Sequence, residues 1–263
     1  MHYTDMKLSQ ETIDTMMKQI ALDCNLGESY EIAKDVILAP SKKIKGARIM
    51  DKMDLFMKII VFRGRAYIMA DESVLGGCED FFSEIKPEWL FEYFTLRKID
   101  HILGEYGRSI VDTHIYYLPV SDFPMESLKG NEIWLDEKAI KEYKEKEIFK
   151  NALRYSKNQP CEMAIAIKEA DKYIAMAGSG MDGKYVRQIG VDVLPDYRGL
   201  GLSVHLVRLL KQRIIESGSL PFYGTNQSHI LSQNVALSSG FIPAFSEIFV
   251  AKKENGRYKE TRH

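Results

Sequence analysis

The chain has 263 residues, 45% hydrophobic and 28% charged, an ordinary globular balance that excludes disordered and fibrous classes and suffices for one large domain or two modest ones. Lys and Arg number 36 against 37 Asp and Glu, so the net charge of -1 lacks the basic excess of a nucleic-acid binder. No apolar run approaches the roughly 20 residues of a membrane span, and the opening MHYTDMKLSQETIDTMMKQ lacks the apolar core of a signal peptide.

Cys24, Cys78 and Cys161 show neither a disulfide framework nor metal-ligand spacing, which points to a cytoplasmic protein with no metal. Along the chain, Ile13, Met16, Met17 and Ile20 recur at helical spacing and predict a helix over Ser9–Asp23. The basic stretch Ser41–Arg48 (SKKIKGAR) is the best local candidate for a nucleic-acid patch and reads as a solvated loop. Leu55–Phe62 and Ala66–Ala70 read as strands joined by Arg63-Gly64-Arg65. A long helical stretch is expected over Glu79–Tyr106, with Trp89, Phe91, Tyr93, Phe94 and Tyr106 as core aromatics, and then a strand over Thr113–Val120.

Ser121–Asn131, with Pro124 and Gly130, is the linker candidate, separating an N-terminal mixed α/β lobe (1–125) from a second domain (130–263). Asp136–Lys157 is expected to be a charge-rich helix with a narrow apolar stripe. Strands are expected over Cys161–Ile167, Tyr173–Ala177 and Tyr185–Leu194, with Asp182 in a turn between the last two.

The chemistry concentrates after the third of these strands. Ile189, Val191 and Val193 alternate as a strand with one buried face, and Pro195 ends it. The turn Arg198-Gly199-Leu200-Gly201-Leu202 opens a helix with Val204, Val207, Leu210 and Ile214 along one face, closed by Gly218. Strand, glycine turn and helix N-terminus make a phosphate cradle, because unpaired amides and the helix dipole favour an anion there. Arg198 adds charge, and Ser203 offers a hydroxyl as a tolerable cap. The spacing is neither the GxGxxG of a dinucleotide fold nor a P-loop, and glycine turns also occur with no ligand.

Arg198-Gly199-Leu200-Gly201-Leu202-Ser203 resembles the [Gln/Arg]-x-x-Gly-x-[Gly/Ala] motif of the GNAT superfamily of acyl-CoA N-acyltransferases, with Ser203 in the last, usually Gly or Ala, place. Ser232–Phe241 resembles the superfamily's second signature, a helix ended by Gly240-Phe241, after an expected strand at Leu220–Gly224 and helix at Ser228–Ser238. Gln188–Val193 (QIGVDV), Pro221–Thr225, Ser228-His229 and Gly240–Ala244 are similar to a group of bacterial GNAT-like proteins. The likeness covers roughly Asp136–Val250; the first 120 residues carry no such motif and would be an accessory lobe, with a degenerate second copy of the fold left open.

The resemblance implies a mixed-sheet GNAT fold and acetyl-CoA as cosubstrate. Its pantetheine arm would pair with the main chain around Val191 and Val193, its pyrophosphate would rest on Gly199–Ser203, and His229 and Ser232 would lie beside it. An acetyl group would pass to a small-molecule or peptide amine by direct attack, with no nucleic acid or membrane involved and a homodimer left open. Asp192, Asp182, His229 and Glu247 are candidates for the base, Asp192 first. The superfamily's usual acid, a tyrosine four residues before Gly-Phe, is replaced by Ala236; Tyr223, ahead of Tyr197, is the substitute candidate. The alternative is an acyl-CoA-binding protein with a sensing role and little turnover.

Overall fold

The computed structural model describes residues 7–27, 34–48, 54–127, 129–144, 148–154 and 160–252. They divide into two compact units. One comprises Met1–Gln19, Arg48–Asp51 and Tyr116–Pro243, the other Ile20–Ala47, Lys52–Ile115 and Ala244–His263. The strands are β1 (Val36–Pro40), β2 (Met57–Phe62), β3 (Arg65–Ala70), β4 (Arg108–Pro119), β5 (Glu132–Leu135), β6 (Cys161–Glu169), β7 (Lys172–Gly180), β8 (Val186–Val193), β9 (Leu220–Thr225) and β10 (Phe241–Lys252). The helices are α1 (Gln10–Asp23), α2 (Glu72–Ser83), α3 (Tyr93–Glu105), α4 (Glu137–Lys144), α5 (Lys150–Leu153), α6 (Leu202–Glu216) and α7 (Ile230–Ser238). Both β4 and β10 supply residues to each unit.

In the motif-bearing unit the strands run in the order β4-β9-β8-β7-β6-β5. β5 to β8 pair antiparallel in sequence, and β8 pairs β9 in parallel, so the sheet is mixed. Small residues on β6 leave room for helices to dock: Ala164 and Ala166, with Met176 of β7, pack with Ile140, Ala152 and Leu153 in one buried cluster. The expected helix over Asp136–Lys157 is instead α4 and α5. The chain breaks at Phe149 (φ 59°) and Arg154 (φ 36°), backbone settings that a helix cannot hold; residues 145–147 and 155–157 of that expectation lie outside the described residues. Ser121–Asn131, expected as a linker, is held to its own unit. The Ser121 amide donates to Lys7, Val120 donates to Gly240, and Glu126 accepts from Arg208 at 3.0 Å.

The other unit carries β1-β3-β2-β10. β1 pairs β3 in parallel, and Arg63 (φ 53°) and Gly64 (φ 72°) supply the left-handed pair of a tight hairpin between β2 and β3. Its core joins Ile59, Ile68, Val74, Phe82, Ile99 and Leu103. The helix expected over Glu79–Tyr106 is two helices: α2 starts earlier, capped by the Asp71 carboxylate on the Ser73 amide (3.0 Å), and a 3-10 turn at Pro87–Trp89 separates it from α3. Proline cannot sit in a helix interior without losing a bond and clashing with the preceding turn. The break rotates the aromatics outward: Trp89, Tyr93 and Phe94 are 56%, 65% and 76% exposed, contrary to their expected place in the core. Arg48, expected as part of a solvated loop, is buried, its guanidinium 5.7 Å from the ring centre of Tyr116 and 5.8 Å from that of Phe222. Among the described residues no helix is long and apolar enough to cross a membrane.

Candidate active site

The strand pairing around β8 creates the site. On one edge β8 stays paired with β7 along its length, from Ser179↔Ile189 to Ala175↔Val193. On the other edge its parallel pairing with β9 runs from Val186↔Leu220 only to Ile189↔Tyr223. Gly190, Val191, Asp192 and Val193 therefore continue past the last β9 partner, half-buried, with one edge of backbone beyond the ladder. Beyond them a 3-10 turn at Pro195–Tyr197 leads to the exposed stretch Arg198–Gly201.

Gly199 (φ 82°) and Gly201 (φ 75°) hold left-handed backbone that an L side chain adopts at a cost, and a β-carbon at either would meet nothing within 4 Å. Gly201 is the N-cap of α6 and makes no side-chain cap bond, so Ser203 is the second helical residue and not the cap expected. The first helical bond runs from the His205 amide to the Gly201 carbonyl at 3.1 Å. The amides of Leu202, Ser203 and Val204 thus lie ahead of the ladder with the dipole behind them, as an anion cradle requires. Arg198 is exposed, its Nε donating to the Val193 carbonyl at 3.3 Å.

Glycines also fix what crosses β8. Gly178 and Gly190 are register partners, and α5 lies over both. A β-carbon on Gly190 would sit 1.8 Å from the Asn151 carbonyl oxygen, and one on Gly178 2.3 Å from that of Ala152. Asp192 completes the attachment: its carboxylate accepts from the Asn151 amide (2.8 Å), the Ala152 amide (2.9 Å) and the Asn151 side chain (2.7 Å). Asp182, in the β7–β8 turn as expected, is buried and accepts from Arg154 (2.5 Å) and from the Gln188 amide (2.7 Å).

Tyr223 stands on β9 at the last paired position. It is buried, with its hydroxyl 3.0 Å from that of Ser232 on α7 and its ring 6.2 Å from Phe241. Burial raises its pKa, Asp192 and Tyr117 add to the rise, and the Ser232 hydrogen bond opposes it. Tyr197, the other candidate acid, bonds the Glu169 carboxylate, which raises its pKa. His229 is the exposed N-cap residue of α7, its carbonyl accepting from the Ser232 amide at 3.0 Å. Glu247 falls in the other unit, 4.0 Å from Lys58.

The Gly-Phe signature has a packing cause. Gly240 takes φ 79°, and a β-carbon there would meet the Phe123 ring at 2.3 Å. Two cations of α6 satisfy the last carbonyls of α7: Arg208 bonds Ser238 (2.7 Å), and Lys211 bonds Ser239 (2.6 Å). Burial, with Arg208 beside it, pushes Lys211 down to about 8, and Phe123 and Phe241 face its ammonium at 4.5 and 5.4 Å. Neither Phe123 nor Lys211 figured in the sequence reading, since their partners lie far along the chain. Among the described residues no group of three or more His, Cys, Asp or Glu could hold a metal ion.

Solved structures similar to this chain include three of the GNAT class. A GNAT-family protein from Novosphingobium aromaticivorans is 18% identical over 56% of this chain and 69% of its own, with a TM-score of 0.43. A GCN5-related N-acetyltransferase-like protein from Streptococcus suis is 14% identical over 90% and 99%, with a TM-score of 0.46. A GCN5-related N-acetyltransferase from Kribbella flavida is 13% identical over 80% and 91%, at 0.43. No curated protein matches the sequence. Residues 124–241 match the model of the acetyltransferase (GNAT) family, a span that holds the parted strands, the glycine turn and the Gly-Phe helix end. That match spans a little under half of the chain and likens the segment to GNAT-family acetyltransferases.

Proposed function

We propose that the protein transfers an acetyl group from acetyl-CoA to a primary amine by direct attack within a ternary complex. The observation that carries this reading is the parting of β8 from β9 after Ile189, directly ahead of an exposed glycine turn at a helix N-terminus. A free strand edge takes an extended amide-bearing ligand as an added strand, so the main chain at Val191 and Val193 would hold the pantetheine arm. The amides of Gly199, Leu200, Gly201, Leu202 and Ser203 would take the pyrophosphate, with Arg198 leaving the Val193 carbonyl to add its charge. His229 and Ser232 would flank the arm from α7. Glycines at 199 and 201 leave space there that a side chain would fill, so the residues present fit this cosubstrate.

Acetyl-CoA supplies an activated acyl group, and the chain's share of the work is placement. Holding the amine against the thioester contributes several kcal/mol, on the order of 7 for well-aligned reactants. A backbone N–H on the free edge stabilises the developing oxyanion. Asp192 acts here by position: its oxygens already accept three hydrogen bonds from Asn151 and Ala152, so it anchors α5 over β8 while water carries off the amine proton.

The test is thiol release from acetyl-CoA by the full chain with a polyamine, an aminoglycoside and a lysine-containing peptide as acceptors. Release that depends on at least one amine is expected. Saturable acetyl-CoA binding with no amine-dependent release on a broad panel of primary amines would favour a sensing role instead.

A further inference from the structure

The outer face of α3 is not built as a solvated surface. Trp89, in the turn that leads into the helix, and Tyr93 and Phe94, in its first turn, are each more than half exposed. The Tyr93 and Phe94 rings stand edge to face at 5.7 Å, with the Arg97 guanidinium 5.8 Å from the Tyr93 ring centre. Single exposed apolar side chains are ordinary. Three aromatics within six residues expose roughly 400 Å2, the size at which a patch marks a contact surface. Past them the same stripe carries Arg97, His101 and Glu105, each four residues beyond the last and so stacked along one side of the helix. All three are exposed, and a groove of about 420 Å3 is lined by Arg97, Asp100, His101, Gly104 and Glu105. Neither Arg97 nor Glu105 has an ion-pair partner among the described residues.

That order of side chains is complementary to itself. Two α3 helices laid antiparallel about a two-fold axis at His101 set Arg97 of each copy opposite Glu105 of the other, because both lie four residues from the axis. An axis one turn earlier, at Arg97, would set cation against cation, so the charges select one register. In it, Tyr93 and Phe94 of each copy reach past the end of the other helix, onto the turn at residues 106–108. Gly104 has no side chain, so the groove beside it can take the Arg97 side chain of the other copy. Asp100 already accepts from the Ile110 amide at 2.7 Å, which leaves Glu105 as the acceptor for that guanidinium. We propose that this face of α3 seats a second copy of the chain, in a two-fold dimer held by two Arg97–Glu105 pairs with the aromatics to either side. Covering the aromatics of both copies removes roughly 800 Å2, and the charged stripe brings the total near the roughly 1,200 Å2 at which specific interfaces begin. Nothing in this pairing depends on acetyl transfer.

Sedimentation velocity of the full chain, from about 1 to about 100 µM, reads the association directly. Wild type is expected to pass from monomer to dimer across that range. Arg97→Glu and Glu105→Arg should each weaken the dimer about tenfold or more, since each removes two attractive pairs and creates two repulsive ones. The double variant Arg97→Glu/Glu105→Arg restores opposite charges across the axis and should recover the dimer. An equimolar mixture of the two single variants should recover it too, as a heterodimer in which both pairs are again of opposite sign. Phe94→Ser should weaken it without any change of charge. All of these positions are exposed, so the variants keep the fold, which circular dichroism checks. A wild type that stays monomeric throughout overturns the proposal. So does a dimer that Arg97→Glu or Phe94→Ser leaves unchanged, because the contact then lies elsewhere. Failure of both the double variant and the mixture to recover the dimer overturns the Arg97–Glu105 pairing and the register with it.

Discussion

Replacing Gly190 by alanine places a methyl group where the Asn151 carbonyl already lies. The added carbon would stand 1.8 Å from that oxygen and 2.7 Å from its carbonyl carbon, both backbone atoms that no rotamer change can move aside. Ordinary contact begins near 3.4 Å, so α5 must lift by about 1.6 Å or β8 must bend, a shift well beyond the tight tolerance of a packed interior. Overpacking of this kind costs about 1–3 kcal/mol. Lifting α5 also stretches the three bonds that Asn151 and Ala152 make to Asp192, each to a charged acceptor and so worth about 1.5–3 kcal/mol if lost outright. A loss of about 3 kcal/mol is the expected total, because partial relaxation spares some of these bonds. Urea unfolding of the full chain, followed by circular dichroism, reads the change as a lower midpoint. Gly199→Ala is the control: its β-carbon meets nothing, and only the strain of φ 82° remains, about 1 kcal/mol. If Gly190→Ala costs no more than Gly199→Ala, α5 does not bear on β8 and the reasoning fails.

Acid should weaken the fold through Glu132. Its side chain is buried, which raises its pKa, but bonds from His205 and the Lys129 and Gly130 amides outweigh this and hold it at about 2, below the usual 4.5. Between those values the unfolded chain binds the extra proton, so this contribution is complete above 4.5 and lost as pH falls toward 2. Glu132→Gln should flatten that part of the stability–pH curve; an identical curve refutes the assignment. A fragment beginning at Gly130 omits Phe123 against Gly240, the Glu126–Arg208 pair, and Gln19, whose side chain accepts from the Tyr185 amide at 3.0 Å. It should aggregate or unfold at lower urea than the full chain, and a soluble monomer with an unchanged midpoint would show those contacts to be dispensable.

What could be read in advance was what is encoded locally. The turn ahead of α6 is legible because Pro195, Gly199 and Gly201 each impose their backbone setting within seven residues, and α1 because its apolar spacing is regular. The rest depends on partners distant in the chain. β1 is five residues ending in proline, and its strand character comes from parallel pairing with β3 some thirty residues on. Ser121–Asn131 has a loop's composition, yet its Glu126 answers to Arg208 and His205. Asp192 alternates as an outward strand carboxylate should, and nothing beside it announces that Asn151 supplies the donors. Tyr223 and Ser232 lie nine positions apart on different elements, so their meeting is a fact of the fold.

The central claim is that acetyl-CoA lies with its pyrophosphate on the turn before α6. Calorimetric titration of the full chain with acetyl-CoA, for wild type and for Gly201→Glu, tests it most directly. The glutamate would put a side chain and a negative charge against the pyrophosphate, where φ 75° already disfavours any β-carbon. A saturable heat is expected for wild type, with a stabilisation of about 2.7 kcal/mol in parallel melts at 100 times the dissociation constant. Both should vanish in a variant whose circular dichroism matches wild type. Equal affinity in a folded Gly201→Glu would contradict the account and move the cosubstrate away from this turn.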